Sequence, residues 1–275
     1  MNIELISSDV YRPIKNKLAI CIFTFKSDNR CVSQCIKALD KHRANLVFDV
    51  FVIDDGACPL DDIPDNVFYS KSHYFRNGNL NGAECAQGQM MEMLRCARKA
   101  RAEYVMKLDS DMIVNSFDNF LAPLWADSNT VVGFKLNPRM NYVAGVCYVF
   151  PVKGLYKGIR DFAVWYKKES ETEEFPTHCP EDWAVSRCVA AVNDYTMIQF
   201  NQVEDSENWL LSPFDFDILE DVENIKIHPL IWHRFRIYDF VNFGNRYQLK
   251  CENPREVAAE CMEQYMKFEE LCQKH

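Results

Sequence analysis

Two carboxylates one residue apart, Asp109 and Asp111, lie in the run Tyr-Val-Met-Lys-Leu-Asp-Ser-Asp-Met-Ile-Val over residues 104–114. An apolar strand that runs into Asp-x-Asp places hard oxygen donors at the carboxyl edge of a sheet. Mg²⁺ or Mn²⁺ takes such donors when it keeps waters and accepts phosphate oxygens as its remaining ligands. The chemistry implied is the binding of a nucleotide diphosphate, and an acidic turn with no ligand is the alternative reading of the same residues. A second acidic pair, Glu181 and Asp182, stands about 70 residues downstream in Pro180-Glu-Asp-Trp183. Val185, Cys188, Val189 and Val192 follow at helical spacing, so the pair occupies the first turn of an amphipathic helix, where the helix dipole favours acids with or without a catalytic role.

These residues need a scaffold, and the composition says which kind. At 275 residues, 48% apolar and 13% aromatic, the chain can bury a full core and is globular. The net charge of −9 argues against a nucleic-acid partner, since the densest basic stretch, residues 95–101, has the spacing of a solvated helix face. The 12 cysteines sit within apolar runs and on helix-like faces, without paired zinc spacing, which suits free buried thiols in a reducing cytoplasm. Residues 1–12 lack the basic start and apolar stretch of a signal peptide, and no run reaches membrane-spanning length.

Along the chain, residues 17–25 and 47–54 are continuous apolar runs of the parallel-strand type, separated by a helix carrying Val32, Cys35, Ile36 and Leu39. This is a βαβ unit, whose ligands lie at the carboxyl ends of the strands. A short strand is predicted at 67–70, a long helix at 83–102, a helix at 117–126, strands at 130–136 and 142–150, and a helix at 156–166. Gly145, inside the predicted strand 142–150, marks a close approach by backbone or ligand. Residues 167–174 read as a charged linker, 195–200 as a strand and 201–221 as an acidic loop. His228 closes a short strand and His233 follows it. A final helix, 254–274, carries Val257, Cys261, Tyr265, Phe268 and Cys272 on one stripe, suited to docking on the main domain or to dimerisation.

Four stretches in order, Ile22-Phe-Thr-Phe-Lys-Ser-Asp28, Val52-Ile-Asp-Asp-Gly56, Lys107-Leu-Asp-Ser-Asp-Met112 and Pro180-Glu-Asp-Trp183, resemble the GT-A class of nucleotide-sugar-dependent glycosyltransferases, most closely inverting family 2. The resemblance runs from about Lys17 to Arg236. It implies an α/β fold: a Rossmann-like mixed sheet flanked by helices, with a nucleotide-binding half at 17–115, an acceptor-binding half at 116–250 and a C-terminal helix at 251–275. It implies that Thr24 and Phe25 border the nucleotide base, with Phe23 and Asp55 in the same nucleotide-binding set, and that Asp54 accepts a hydrogen bond from uracil or ribose. Asp109 would face the ribose or a Mn²⁺ or Mg²⁺ ion, Asp111 would bind that ion, and His228, or alternatively His233, would complete the metal site. Asp182 would be the catalytic base and Glu181 the acceptor-recognising neighbour.

Two positions depart from the family pattern. Gln87-Gly88-Gln89 stands where an Arg or Lys that helps hold the nucleotide is common, and Phe25 replaces a common Tyr. The expected activity is metal-dependent inverting transfer of a hexose-type sugar from a UDP-sugar to a hydroxyl of a glycan or glycolipid, with peripheral membrane contact allowed by such an acceptor. Asp182 is expected to be ionised at neutral pH because a helix N-terminus favours the charged form. A sugar-phosphate nucleotidyltransferase and a non-catalytic nucleotide-sugar-binding protein on the same scaffold are the alternatives.

Overall fold

The computed structural model describes residues 11–24, 29–54, 64–72, 81–135, 139–201, 239–243 and 253–273. At its centre is a seven-stranded sheet built from β1 (Ile14–Thr24), β2 (Phe48–Asp54), β3 (Val67–Lys71), β4 (Ala102–Asp109), β6 (Thr130–Lys135), β7 (Cys147–Pro151) and β8 (Thr196–Asn201). Their spatial order is β3-β2-β1-β4-β7-β6-β8. The first four are mutually parallel, β7 runs antiparallel to both its neighbours, and β6 and β8 are parallel. A separate two-stranded ribbon pairs β5 (Met112–Val114) with β9 (Phe240–Asn242).

Helices cover both faces, as the unbroken apolar strands require. In β1 the side chains Leu18, Ile20 and Ile22 enter one core and Ala19, Cys21 and Phe23 the other. The first core is closed by α1 (Asn29–Asp40), α3 (Asp118–Ala126) and α6 (Pro254–Gln273), the second by α2 (Ala83–Ala100), α4 (Val152–Ser170) and α5 (Glu181–Asn193). In α1 the buried residues Cys31, Val32, Cys35, Ile36 and Leu39 recur at three- and four-residue spacing, so one stripe meets the sheet. Both α2 and α5 end on a left-handed residue, Arg101 at φ 51° and Asp194 at φ 57°, whose N–H groups satisfy carbonyls of the last turn.

The α/β class, the mixed sheet and the helical flanks agree with expectation. Three local expectations need correction. The run 104–114 is not one strand: β4 stops at Asp109, the chain turns at Ser110 and Asp111, and Met112 begins β5 in the other sheet. Only 147–151 of the predicted strand 142–150 is a strand, because residues 143–146 cross the end of the sheet, with Ala144 N–H on Phe134 O (2.6 Å) and Asp109 N–H on Val146 O (3.0 Å). Residues 167–170 continue α4, since Phe162, Trp165, Tyr166 and Phe175 form an aromatic cluster with Trp183 that extends the helix's packing beyond its apolar centre.

The last helix docks on its own chain. Ala258, Ala259, Cys261, Met262 and Tyr265 are buried in the first core. Arg30 of α1 pairs with Glu256 (2.6 Å) and Glu263 (3.0 Å) of α6. Those pairs are half exposed, so the apolar stripe, rather than the ion pairs, supplies most of the docking energy. Nine of the cysteines among the described residues are buried, and no described helix is long and apolar enough to cross a membrane.

The crossing segment 143–146 is seated by a glycine. A β-carbon on Gly133 would lie 2.5 Å from Val143 Cβ and 3.0 Å from Cys147 O. Gly133→Ala is expected to destabilise the protein by about 1–3 kcal/mol through overpacking, read as a lower midpoint in urea unfolding with an unchanged slope.

Candidate active site

Register places the candidate residues side by side. Thr24 pairs with Asp54 across β1 and β2, and Phe23 pairs with Asp109 across β1 and β4, so Phe23, Thr24, Asp54 and Asp109 line the carboxyl ends of three adjacent parallel strands. Phe25, Asp55, His228 and His233 lie outside the described residues. Asp54 is 1% exposed, and one of its oxygens accepts a hydrogen bond from the Tyr69 hydroxyl at 2.7 Å. Its carboxylate is thereby held at the strand end by a neighbour on β3.

The acidic pair of the turn divides between the two faces of the sheet. Side chains alternate along β4, and Val105 faces the second core together with α2, α4 and α5. Lys107 and Asp109 follow on that face, and the Lys107 ammonium binds Asp109 Oδ1 and the Gly145 carbonyl. The opposite face of the Gly145 residue is also used: its N–H donates to Asp182 Oδ2 at 2.8 Å. The result is a continuous polar link, Asp109 to Lys107 to Gly145 to Asp182, from the end of the central strand to the first turn of α5. Asp111 goes the other way. Its Oδ2 is 2.5 Å from Arg255 Nη1 in the first turn of α6, and its carbonyl accepts the Phe243 N–H at 3.1 Å.

Asp182 is held through both oxygens, Oδ2 by Gly145 and Oδ1 by its neighbour's N–H, that of Trp183, at 2.8 Å. Each oxygen retains acceptor capacity, because a carboxylate oxygen carries two lone pairs. Burial pushes the Asp182 carboxyl up, against the Gly145 and Trp183 N–H bonds and the Lys107 charge that pull it down, while Asp109 adds to the rise. Desolvation is the largest of these influences, and the side chain is more basic than an ordinary aspartate. Glu181, 5% exposed, accepts a weak hydrogen bond from Cys85 Sγ at 3.8 Å. The starts of α2 and α5 meet there, through Gly82 N–H on Cys179 O (2.8 Å) and a bridge between Asn81 and Pro180.

The test of a metal at this site turns on donor chemistry. A hard divalent ion is held by one or two carboxylates and takes waters and phosphate oxygens as its other ligands, and a clasp by both acids of Asp-x-Asp needs them aimed at one point. Here Asp109 is engaged by Lys107 and Asp111 by Arg255, from opposite faces of the strand, and among the described residues no group of three or more His, Cys, Asp or Glu is arranged to hold a metal. The described residues do not fit the expected two-carboxylate clasp, and no chemical step is assigned to an ion.

Sequence reasoning missed two residues here. Lys107 was open to notice, since a lysine inside the apolar strand segment 104–108 demands buried acceptors. Arg255 was open too, because a cation in the first turn of a helix runs against the dipole unless a carboxylate meets it. Gly145 was noticed, and the close approach is by side chains: a β-carbon there would lie 3.4 Å from both Asp182 Oδ2 and Lys107 Nζ.

In sequence, no protein-family model matches the chain and no curated protein matches it. Among solved structures the chain is similar to a galactosyltransferase, LgtC, in complex with donor and acceptor sugar analogues, at 12% identity and TM-score 0.41 over 67% of this chain and 73% of that one. It is similar to a glycosyltransferase involved in glycosylation of the major capsid of PBCV-1, at 14% identity and TM-score 0.47 over 90% and 98% of the two chains. It is also similar to the glycosyltransferase GlyE of Streptococcus pneumoniae, at 12% identity and TM-score 0.45 over 94% of this chain and 64% of that one. Likeness at these values does not decide a reaction.

The polar link carries a stability consequence. Lys107→Met would leave the Gly145 carbonyl and Asp109 without their ammonium partner, and the variant should lose about 1–3 kcal/mol in denaturant unfolding. The Gly145 amide should also exchange its hydrogen faster than in the parent protein, read by mass spectrometry or NMR.

Proposed function

We propose that the protein is a GT-A type inverting glycosyltransferase, moving a sugar from a nucleotide-sugar, with a UDP-sugar as the expected donor, to a hydroxyl of a glycan or glycolipid. The observation that carries this reading is the link from Asp109 to Asp182. It joins the strand ends suited to a nucleotide to a basic carboxylate at a helix start, through one lysine and one peptide unit. A nucleotide lying across the ends of β1, β2 and β4 would direct its sugar toward α5.

Transfer of a sugar needs a proton taken from the acceptor hydroxyl while its oxygen attacks the anomeric carbon and the bond to the diphosphate oxygen breaks. Asp182 takes that proton. Its two N–H donors fix the carboxylate plane, and its raised basicity brings it closer to the proton affinity useful near neutral pH. General-base catalysis contributes about 10²–10⁴ in rate, or roughly 3–5 kcal/mol off the barrier. A single carboxylate on the acceptor side, opposite the leaving group, suffices for direct displacement, which inverts the anomeric centre. Glu181, next to it and buried against α2, supports acceptor recognition in this reading.

Donors are screened by release of nucleoside diphosphate, and the product anomer is read by NMR. With the matched donor, Asp182→Asn should lower kcat by about 10²–10⁴ while nucleotide affinity changes little. The acid limb of kcat/KM should lie above the ordinary carboxylate range, since the base form is present only above the raised pKa. Near-normal turnover by the Asn variant, or release of pyrophosphate in place of a nucleoside diphosphate, would contradict the assignment.

A further inference from the structure

The geometry points to Arg255 as the positive charge beside the strand ends where the diphosphate is proposed to lie, so that this chain binds a nucleoside diphosphate without requiring a divalent ion. The inference rests on the nucleotide-sugar reading given under Proposed function. It begins from the division of the acidic pair. Asp109 and Asp111 carry two negative charges, and an anionic diphosphate would be repelled by both. Each is met by a basic side chain of the protein, Lys107 on Asp109 and Arg255 on Asp111. Two positive charges thus balance two negative ones, the same balance that a divalent ion would give the bare pair.

Arg255 is the member of its pair that faces outward. The Asp111 side chain is 6% exposed and that of Arg255 is 36% exposed, so the carboxylate lies behind the guanidinium and aims it. A guanidinium presents planar N–H donors in a fork that matches phosphate oxygens. Its place is also right. The Arg255 carbonyl accepts a hydrogen bond from Cys31 Sγ at 3.4 Å in the first turn of α1, and Cys35 Sγ of the same helix approaches the Asp109 carbonyl at 3.8 Å. Arg255 therefore lies between α1 and the Asp-x-Asp turn, beside the strand ends that carry Phe23 and Thr24. A divalent ion at Asp111 Oδ2 would compete with this guanidinium for a buried carboxylate oxygen.

The test uses UDP as probe, followed by calorimetry in EDTA and in MnCl₂, together with Mn²⁺ binding to the protein alone by electron paramagnetic resonance. UDP affinity is expected to agree within about twofold in the two conditions, and Arg255→Gln to weaken it at least tenfold in both. Arg255→Lys should weaken it less than Arg255→Gln. Glu263→Gln serves as the control for loosened docking of α6, because it touches Arg30 and leaves the Asp111–Arg255 pair alone; it should retain parental UDP affinity. Equal loss in Glu263→Gln and Arg255→Gln would show that only the helix's docking matters and would overturn the inference. Tightening of UDP binding tenfold or more by Mn²⁺, or a Mn²⁺ site on the protein alone that Asp111→Asn abolishes, would overturn it while leaving the transferase reading in place. Failure of UDP, GDP, ADP and CDP to bind in either condition would overturn both.

Discussion

One buried ammonium group governs the carboxyl edge of the sheet. Lys107 is 5% exposed in the middle of an apolar strand, and a desolvated cation is tolerated only where acceptors surround it. It finds them in Asp109 on its own strand and in the carbonyl of Gly145 on the crossing segment. Those bonds pin the segment over the end of β4. Because the Gly145 N–H in turn grips Asp182, the first turn of α5 is located relative to the central strand by the same residue. A β-carbon at 145 would stand 3.4 Å from both Asp182 Oδ2 and Lys107 Nζ, in contact with the two side chains that Gly145 joins.

The end of β4 explains why the two acids do different things: alternation would keep residues 109 and 111 on one face, and the turn at Ser110 and Asp111 separates them. Asp109 shares the face of Lys107 and looks toward α5, whereas Asp111, past the end of the strand, reaches Arg255 on α6. The last helix is consequently more than a cover for the first core. Its apolar stripe docks it, and its first turn delivers a guanidinium to the edge where the nucleotide is proposed to lie. The raised basicity of Asp182 comes from burial, which takes the carboxyl out of water, while the N–H groups of Gly145 and Trp183 keep it oriented.

Much of the scaffold was legible in the sequence because its signals are local. Continuous apolar runs gave β1 and β2, the three- and four-residue spacing gave α1, and the acids before Val185 and Cys188 located the start of α5. The strand ends carrying Phe23, Thr24, Asp54 and Asp109 followed from the βαβ pattern, and their register confirms that they are neighbours. What was not legible depends on contacts distant along the chain. Whether Asp109 and Asp111 share a ligand or part company is decided by Lys107, Gly145 and Arg255, which lie up to 144 residues away. The irregular path of 143–146 was hidden because Val143, Ala144 and Val146 look like strand residues. They are buried by crossing the sheet end, which apolar character alone does not distinguish from pairing within it.

The most direct measurement of the central claim is a crystal structure of the protein with UDP bound. The account predicts the uridine across the ends of β1, β2 and β4 and the diphosphate beside Asp109, with an open path for a sugar from there to the Asp182 carboxylate. UDP seated at the opposite edge of the sheet, near Tyr11 and Tyr156, or a wall of side chains closing Asp182 off from the diphosphate, would contradict it.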